Sequence, residues 1–220
     1  RAVEGSFATA ISQINRSTQP VLSIDIPSGI NATTGVCMGI AVQATVTVTF
    51  IGLKQGLFTA DGVQYSGDVV FHDLGISPDI YATVPPTAKL IDMHDVSPLL
   101  QPRARTAHKW DNGHVLIIGG APAFTGAILV AGEAAARTGA GLVSIATHPE
   151  IALDVIANRP ELMMHRAARP ADLASLLARV DVVAIGPGLG LSDWATAMFA
   201  AVLHRKLPLV VDADALNLLA

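Results

Sequence analysis

The stretch His114 to Thr147, HVLIIGGAPAFTGAILVAGEAAARTGAGLVSIAT, leaves a chain few ways to fold. Val115 to Ile118 is a short, β-branched run stopped by Gly119-Gly120, which suits a buried parallel strand. Thr125 is placed to cap the next segment. Gly126 to Thr138 is rich in helix formers, holds Arg137 in its last turn and stops at Gly139. The small residues Gly126, Ala127, Ala131, Gly132, Ala134 and Ala135 let such a helix lie close on a sheet. Leu142 to Ala146 then supplies the next parallel strand of a βαβ unit. In open α/β sheets the ligand crevice lies beyond the carboxyl ends of the strands, where helix N-termini present amides to anions. Gly119, Gly120 and Gly126 do not make the G-x-G-x-x-G spacing, and no G-x-x-x-x-G-K-[ST] occurs. Two readings of these glycines therefore stand side by side: a phosphate cradle, or a tight turn that only needs positive φ.

The pattern recurs downstream. Asp181 to Ile185 is an apolar strand ending in Gly186-Pro-Gly-Leu-Gly190, a helix from about Trp194 to His204 follows, and the strand Leu209 to Val211 ends in Asp212-Ala-Asp214. In an extended segment the carboxylates of Asp212 and Asp214 would point to one side and could share a divalent cation; the alternative is an N-cap and a turn aspartate. The turns after residues 118, 185 and 211 all end successive strands, so one crevice could collect all three. Between these blocks, Pro149 to Ala157 reads as a helix, Glu161 to His165 as a strand and Ala171 to Val180 as a helix.

Earlier in the chain, Phe7 to Ile14 has helical spacing and Val21 to Ile24 is a strand that runs directly into Asp25-Ile-Pro-Ser-Gly29. Pro27 and Gly29 force a turn that exposes Ser28 beside the Asp25 carboxylate. Such a corner can bind a ribose or a cation, or Asp25 can simply bond turn amides. Thr45 to Ile51 alternates as a strand, and Asp61-Gly62 and Ser66-Gly67 mark turns around a short edge strand at Val69 to His72. His72 and Asp73 read as a surface pair, not as metal ligands. From Ser77 to Pro102 five of the 13 prolines accumulate and periodicity fades, apart from a short strand signal at Ala88 to Ile91.

Composition narrows the function classes. With 220 residues, 51% hydrophobic and 15% charged, the chain has room for a well-buried α/β core in one large domain or two modest ones. Residues 1–102 carry 4 Lys/Arg against 8 Asp/Glu and residues 103–220 carry 10 against 10. Neither half has the basic excess that nucleic acid or an anionic membrane demands. Glu133 interrupts the longest apolar run before it reaches the ~18 residues of a membrane span. The single cysteine, Cys37, excludes an internal disulfide and suits a reducing cytosol. Lys109 and His108, in the polar loop before the central strand, could reach a phosphate or simply be solvated. The first residue is Arg1, and Ala220 follows a strand-to-helix transition at once, so both ends are expected to be internal to a longer chain.

These residues closely resemble the bacterial bifunctional NAD(P)H-hydrate repair enzymes, an epimerase domain fused to a nucleotide-dependent dehydratase domain. VLSIDIPSG, VTVTFIGLKQGL and GDVVFHDLGI resemble the second half of the epimerase. HKWDNGHVLIIGG, TGAILVAGEAAARTGAGLVSIAT, RPELMMH, VVAIGPGLG and VVDADALNLLA resemble the first half of the dehydratase. The resemblance implies an α/β protein in which the C-terminal half of a Rossmann-like epimerase domain precedes the N-terminal half of a ribokinase-like α/β domain. The expected division is 1–80, a Pro-rich connector over 81–102, and 103–220.

It also implies a chemistry. The epimerase interconverts the R and S forms of NADHX and NADPHX, which carry a hydroxyl at C6 of the reduced nicotinamide ring, and the dehydratase removes water from the S form at the expense of ADP or ATP. The implied cofactors are the nucleotide, K+ and Mg2+; the implied setting is a cytoplasmic homo-oligomer that contacts neither nucleic acid nor membrane. Carried over residue by residue, Asp25 would contact the hydrate, Ser28 would help hold potassium, and Ala127 and Gly190 would line the hydrate pocket of the dehydratase. Lys109, Gly126, Asp212, Asp214 and Asn217 would lie near that site. Trp110 and Asn112 stand where the family usually has a small or charged residue. The family's Asn-Asn-Gly-Gly-Asp-Gly loop would precede Arg1, and its Thr-Pro-His and Gly-Ser-Gly-Asp segments, the latter with the expected base, would follow Ala220. The segment by itself is therefore expected to be inactive. A ribokinase-like small-molecule kinase and a non-catalytic nucleotide-binding module are the competing classes; the DIPSG half argues against the kinase.

Overall fold

The computed structural model describes residues 2–100, 102–151 and 159–220. Two compact units divide the chain, Arg1–Leu100 and Gln101–Ala220.

The first unit holds a three-stranded parallel sheet in the order β1 (Leu22–Ile24), β2 (Val46–Phe50), β3 (Asp68–His72). A helix over Gly5–Arg16 precedes it and buries Ile11. Asn15 fastens this helix to the chain ahead of β2, donating from Nδ2 to the Ala41 carbonyl at 2.8 Å and accepting from the Gln43 amide at 2.9 Å. In β2 the threonines face inward: Thr47 and Thr49 are fully buried, whereas Val46, Val48 and Phe50 are half-buried. Buried hydroxyls need acceptors. Thr47 Oγ1 finds the Ser66 carbonyl at 2.7 Å and Thr49 Oγ1 finds the Asp25 carboxylate at 3.2 Å. After β3, the Nδ1 of His72 accepts the Leu74 amide and Asp73 accepts the Gly75 amide, so this pair closes a turn.

The strand expected at Ala88–Ile91 does not form. Those residues are exposed and pair with no strand among the described residues, and apolar content without a ladder partner does not make a strand. Short helices at Ile80–Thr83 and Met93–Val96 flank them, the second closed by a reciprocal Asp92/Asp95 capping box.

The second unit is a five-stranded parallel sheet in the order β6-β5-β4-β7-β8. The strands are β4 (His114–Gly119), β5 (Leu142–Thr147), β6 (Met163–Arg166), β7 (Val182–Ile185) and β8 (Leu209–Val211). β4 sits at the centre because it is apolar on both faces. Ile117 packs with Ile128, Val143, Ile145 and Leu162 on one side, under the helix Thr125–Thr138. Leu116 and Ile118 join Val183, Ile185, Met198 and Val202 on the other, under the helix Asp193–Leu203. Helices on both faces are what a two-sided apolar parallel sheet requires. Gly132 sets the depth of the first contact: a Cβ there would lie 2.8 Å from Ile145 Cδ1 and 3.1 Å from Leu162 Cδ1. A polar row, buried at His114 and Ser144 and half-buried at His165, crosses this sheet, with His114 Nε2 at 2.9 Å from Ser144 Oγ and that hydroxyl at 3.2 Å from His165 Nε2.

Two local expectations change. Thr125 is the first helical residue, not the cap; Phe124 holds the cap position (φ −115°, ψ 28°) and caps nothing with its side chain. Ala171–Val180 is not one helix but a 3₁₀ turn, Pro170–Leu173, followed by a single α-turn, Ala174–Leu177. Leu173, Leu176 and Leu177 are all buried, so the segment folds as a short plug rather than a surface helix. Of the helix expected over Pro149–Ala157, residues 152–157 lie outside the described residues.

Candidate functional site

In the first unit, β1 and β2 run parallel, so Asp25 at the end of β1 arrives beside the end of β2. The Asp25 amide donates to the Val48 carbonyl at 2.7 Å, and the residue then turns into the left-handed region (φ 69°), which aspartate tolerates better than most residues. Its Oδ1 accepts the Thr49 hydroxyl and the Phe50 amide, each at 3.2 Å, and the Lys54 ammonium. Lys54 Nζ also donates to the Phe50 carbonyl at 2.7 Å. Partial burial works against charge on Asp25, but the Lys54 ammonium, the Phe50 amide and the Thr49 hydroxyl together outweigh it and hold the carboxyl below its usual range. An open depression of about 540 Å³ is lined by Asp25, Phe50, Ile51, Gly52, Leu53 and Lys54. Ser28 is exposed on the same turn but faces a second hollow, shared with the Gly5–Arg16 helix, Gly29 and Val42. Asp25 and Ser28 are thus neighbours in sequence that line different hollows.

In the second unit the turns after β4, β7 and β8 meet, because those three strands are adjacent. The amides of Gly120 and Ala121 donate to the carbonyls of Pro187 and Gly188 at 3.2 and 2.7 Å. A Cβ at Gly188 would come within 2.4 Å of the Phe124 carbonyl, and one at Gly186 within 1.7 Å of the Asp212 carbonyl, so both positions require glycine for close backbone approach. Gly126 and Ala127 open the 14-residue helix and are exposed, and a Cβ built on Gly126 meets nothing within 4 Å. No side-chain cap engages the amides of this first turn, an arrangement suited to an anion. The Gly190 amide donates to Asp214 Oδ2 at 2.8 Å, and a Cβ on Gly190 would touch Ala121 at an ordinary 3.6 Å. Gly126, Ala127, Gly190 and Asp214 therefore belong to one group of interlocked turns.

The extended segment expected at Asp212 and Asp214 does not form. Ala213 takes φ 45°, ψ −118°, so the segment bends instead of extending; Asp214 opens the helix Asp214–Leu219 and spends a carboxylate oxygen on Gly190, while Asp212 is exposed. Asn217 is exposed on that helix. Among the described residues no group of three or more His, Cys, Asp or Glu could hold a metal ion. Lys109 is not brought to the group either. Its 3₁₀ turn, Lys109–Asn112, packs its backbone against Gly141 at the amino ends of β4 and β5, opposite the glycine turns, and its ammonium sits 6.0 Å from the Trp110 ring centroid.

Sequence reasoning passed over Lys54 and Thr49. A signal existed: Lys54 is the only Lys or Arg between Arg16 and Lys89, and it follows a strand that parallel pairing sets beside the Asp25 strand.

Among the described residues, no helix is long and apolar enough to cross a membrane. Residues 115–220 match the family model for NAD(P)H-hydrate dehydratase, and residues 1–56 match the model for the YjeF-related protein N-terminus. The chain is 48% identical over 218 residues to the bifunctional NAD(P)H-hydrate repair enzyme Nnr of Coxiella burnetii, covering 99% of this chain and 45% of that protein. Against the enzyme of the same name from Escherichia coli it is 39% identical over 220 residues, covering 100% of this chain and 42% of that one. Among solved structures, hypothetical protein SMU.573 from Streptococcus mutans aligns with a TM-score of 0.54 at 34% identity, over 59% of this chain and 48% of that chain. The chain thus spans somewhat less than half the length of the curated relatives it matches. Two family models in sequence order, and identity that runs from end to end, make this chain a member of the bifunctional NAD(P)H-hydrate repair enzyme family.

Proposed function

We propose that this chain contributes to both halves of nicotinamide-hydrate repair: epimerisation of R and S NAD(P)HX at the Asp25 corner, and nucleotide-dependent dehydration of the S form at the interlocked glycine turns. The observation that supports the reading is that the two families match in sequence order, and that each of the two units carries turns at the carboxyl ends of parallel strands. Asp25 fits the first role because one carboxylate oxygen is fully engaged while the group borders an open hollow. Ala127 and Gly190 fit the second because small residues let a planar ring approach the backbone, and the uncapped first turn at Gly126 suits a phosphate of the hydrate or of the nucleotide.

The cofactors follow from what the residues offer. No carboxylate cage exists among the described residues, so Mg2+ would enter on the phosphates of ADP or ATP, as this ion commonly does. Ser28 exposes a hydroxyl for potassium. Asn217 and the exposed Asp212 would border the bound molecule on the side of β8. The same proposal places the full-length protein in the cytoplasm as a homo-oligomer. Isothermal titration of the full-length protein with S-NADHX tests the second site: wild type binds, and Gly190→Leu, which adds bulk at the proposed pocket, does not. Equal binding by both would remove the glycine turns from the reading.

A further inference from the structure

We propose that Lys54 is the positioning residue of the Asp25 site, gripping one oxygen of the carboxylate so that the other is presented to the substrate. The inference rests on the epimerase reading of Asp25 and adds a residue to it.

Lys54 is itself held at two points, by Asp25 Oδ1 and by the Phe50 carbonyl at 2.7 Å, so its ammonium is fixed over the carboxyl end of β2 rather than waving in solvent. Three-quarters of its side chain is covered. The Thr49 hydroxyl and the Phe50 amide converge on the same oxygen from the same strand end. All three donors thus choose Oδ1 and none takes Oδ2. A carboxylate that served only to tie the end of β1 to β2 would gain from engaging both oxygens; here one is saturated and the group stays 44% exposed beside the hollow. Among the described residues Lys54 is the only charged group in contact with Asp25, and its ammonium is the largest of the forces that lower the Asp25 pKa against partial burial. Loss of Lys54 should therefore leave Oδ1 to the Thr49 hydroxyl and the Phe50 amide alone, loosen the side chain and allow protonation at a higher pH.

The test uses the full-length protein with Lys54→Met, Lys54→Arg and Asp25→Asn. Two readouts are taken: titration of the Asp25 carboxyl by carbon NMR, and the pH profile of R-to-S NADHX epimerisation. In Lys54→Met, Asp25 titrates at higher pH than in wild type, the acid limb of the rate profile moves with it, and kcat falls about 10- to 100-fold with little change in KM, as a displaced catalytic group produces. Lys54→Arg restores both the titration and the profile. A Lys54→Met protein with the wild-type titration and profile overturns the proposal, as does a loss of rate with an unmoved acid limb that Arg fails to rescue, which is the signature of a merely structural contact. Asp25→Asn separates the two levels of the argument: full activity in that variant rejects the site itself, while an inactive Asp25→Asn beside an unaffected Lys54→Met rejects only the role of Lys54.

Discussion

The Gly190 amide donates to the Asp214 carboxylate at 2.8 Å, fastening the turn after β7 to the first turn of the helix that follows β8. Twenty-four residues apart in sequence, the two meet because β7 and β8 are parallel neighbours whose carboxyl ends coincide. Asp214→Ala should leave a half-buried amide unpaired and destabilise the second unit by about 1 to 3 kcal/mol, with Asp214→Asn intermediate because it keeps an acceptor. Urea unfolding of the three proteins measures this. Equal midpoints would mean that water replaces the carboxylate without cost.

Ala127→Leu should abolish S-NADHX dehydration while leaving epimerisation intact. Ala127 is exposed at the start of its helix, so the larger side chain meets solvent and the proposed pocket rather than the core. Stability should change by no more than about 0.5 kcal/mol. Parallel dehydration and epimerisation assays with a thermal melt check both halves of the expectation; joint loss of the two activities in a folded protein would contradict the assignment of separate sites.

The histidine row gives the second unit a pH dependence. Burial lowers the pKa of His114, outweighing the Arg179 carbonyl and Asp181, which favour the charged form; burial and the neighbouring His114 and Arg179 charges lower that of His165. The unfolded chain then binds more protons than the folded one below the ordinary histidine value of about 6.5, so stability is complete above that pH and declines as pH falls through it. Chemical denaturation of the second unit at pH 7.5 and 5.5 should show a lower midpoint at the acid value, and His165→Gln should reduce the difference. A midpoint that rises on acidification would reverse the assignment.

The sheet of the second unit was legible because its signals are local and redundant. The run Val115–Ile118, the stop at Gly139 and the small-residue face of the Thr125–Thr138 helix each point to the same βαβ unit. The adjacency of the turns after residues 118, 185 and 211 could also be anticipated, since parallel strands put like ends together. What escaped was the conformation of single residues. The chain bends at Ala213 between Asp212 and Asp214, and no propensity announces a positive φ at alanine. Lys109 was misplaced for another reason: proximity in sequence to a central strand does not say at which end of the sheet a residue lies, and Lys109 precedes β4 whereas the crevice follows it. Lys54 was overlooked because its partner lies 29 residues earlier, a pairing that only the β1–β2 register creates.

The central claim, that Asp25 works on the hydrate at a site separate from the dehydratase crevice, is tested most directly by epimer-resolved chromatography of mixed R and S NADHX incubated with the full-length protein and ADP. Wild type should consume both epimers faster than the enzyme-free control. Asp25→Ala should consume the S epimer and leave the R epimer to its spontaneous rate. Equal consumption of both epimers by Asp25→Ala at the wild-type rate would contradict the account.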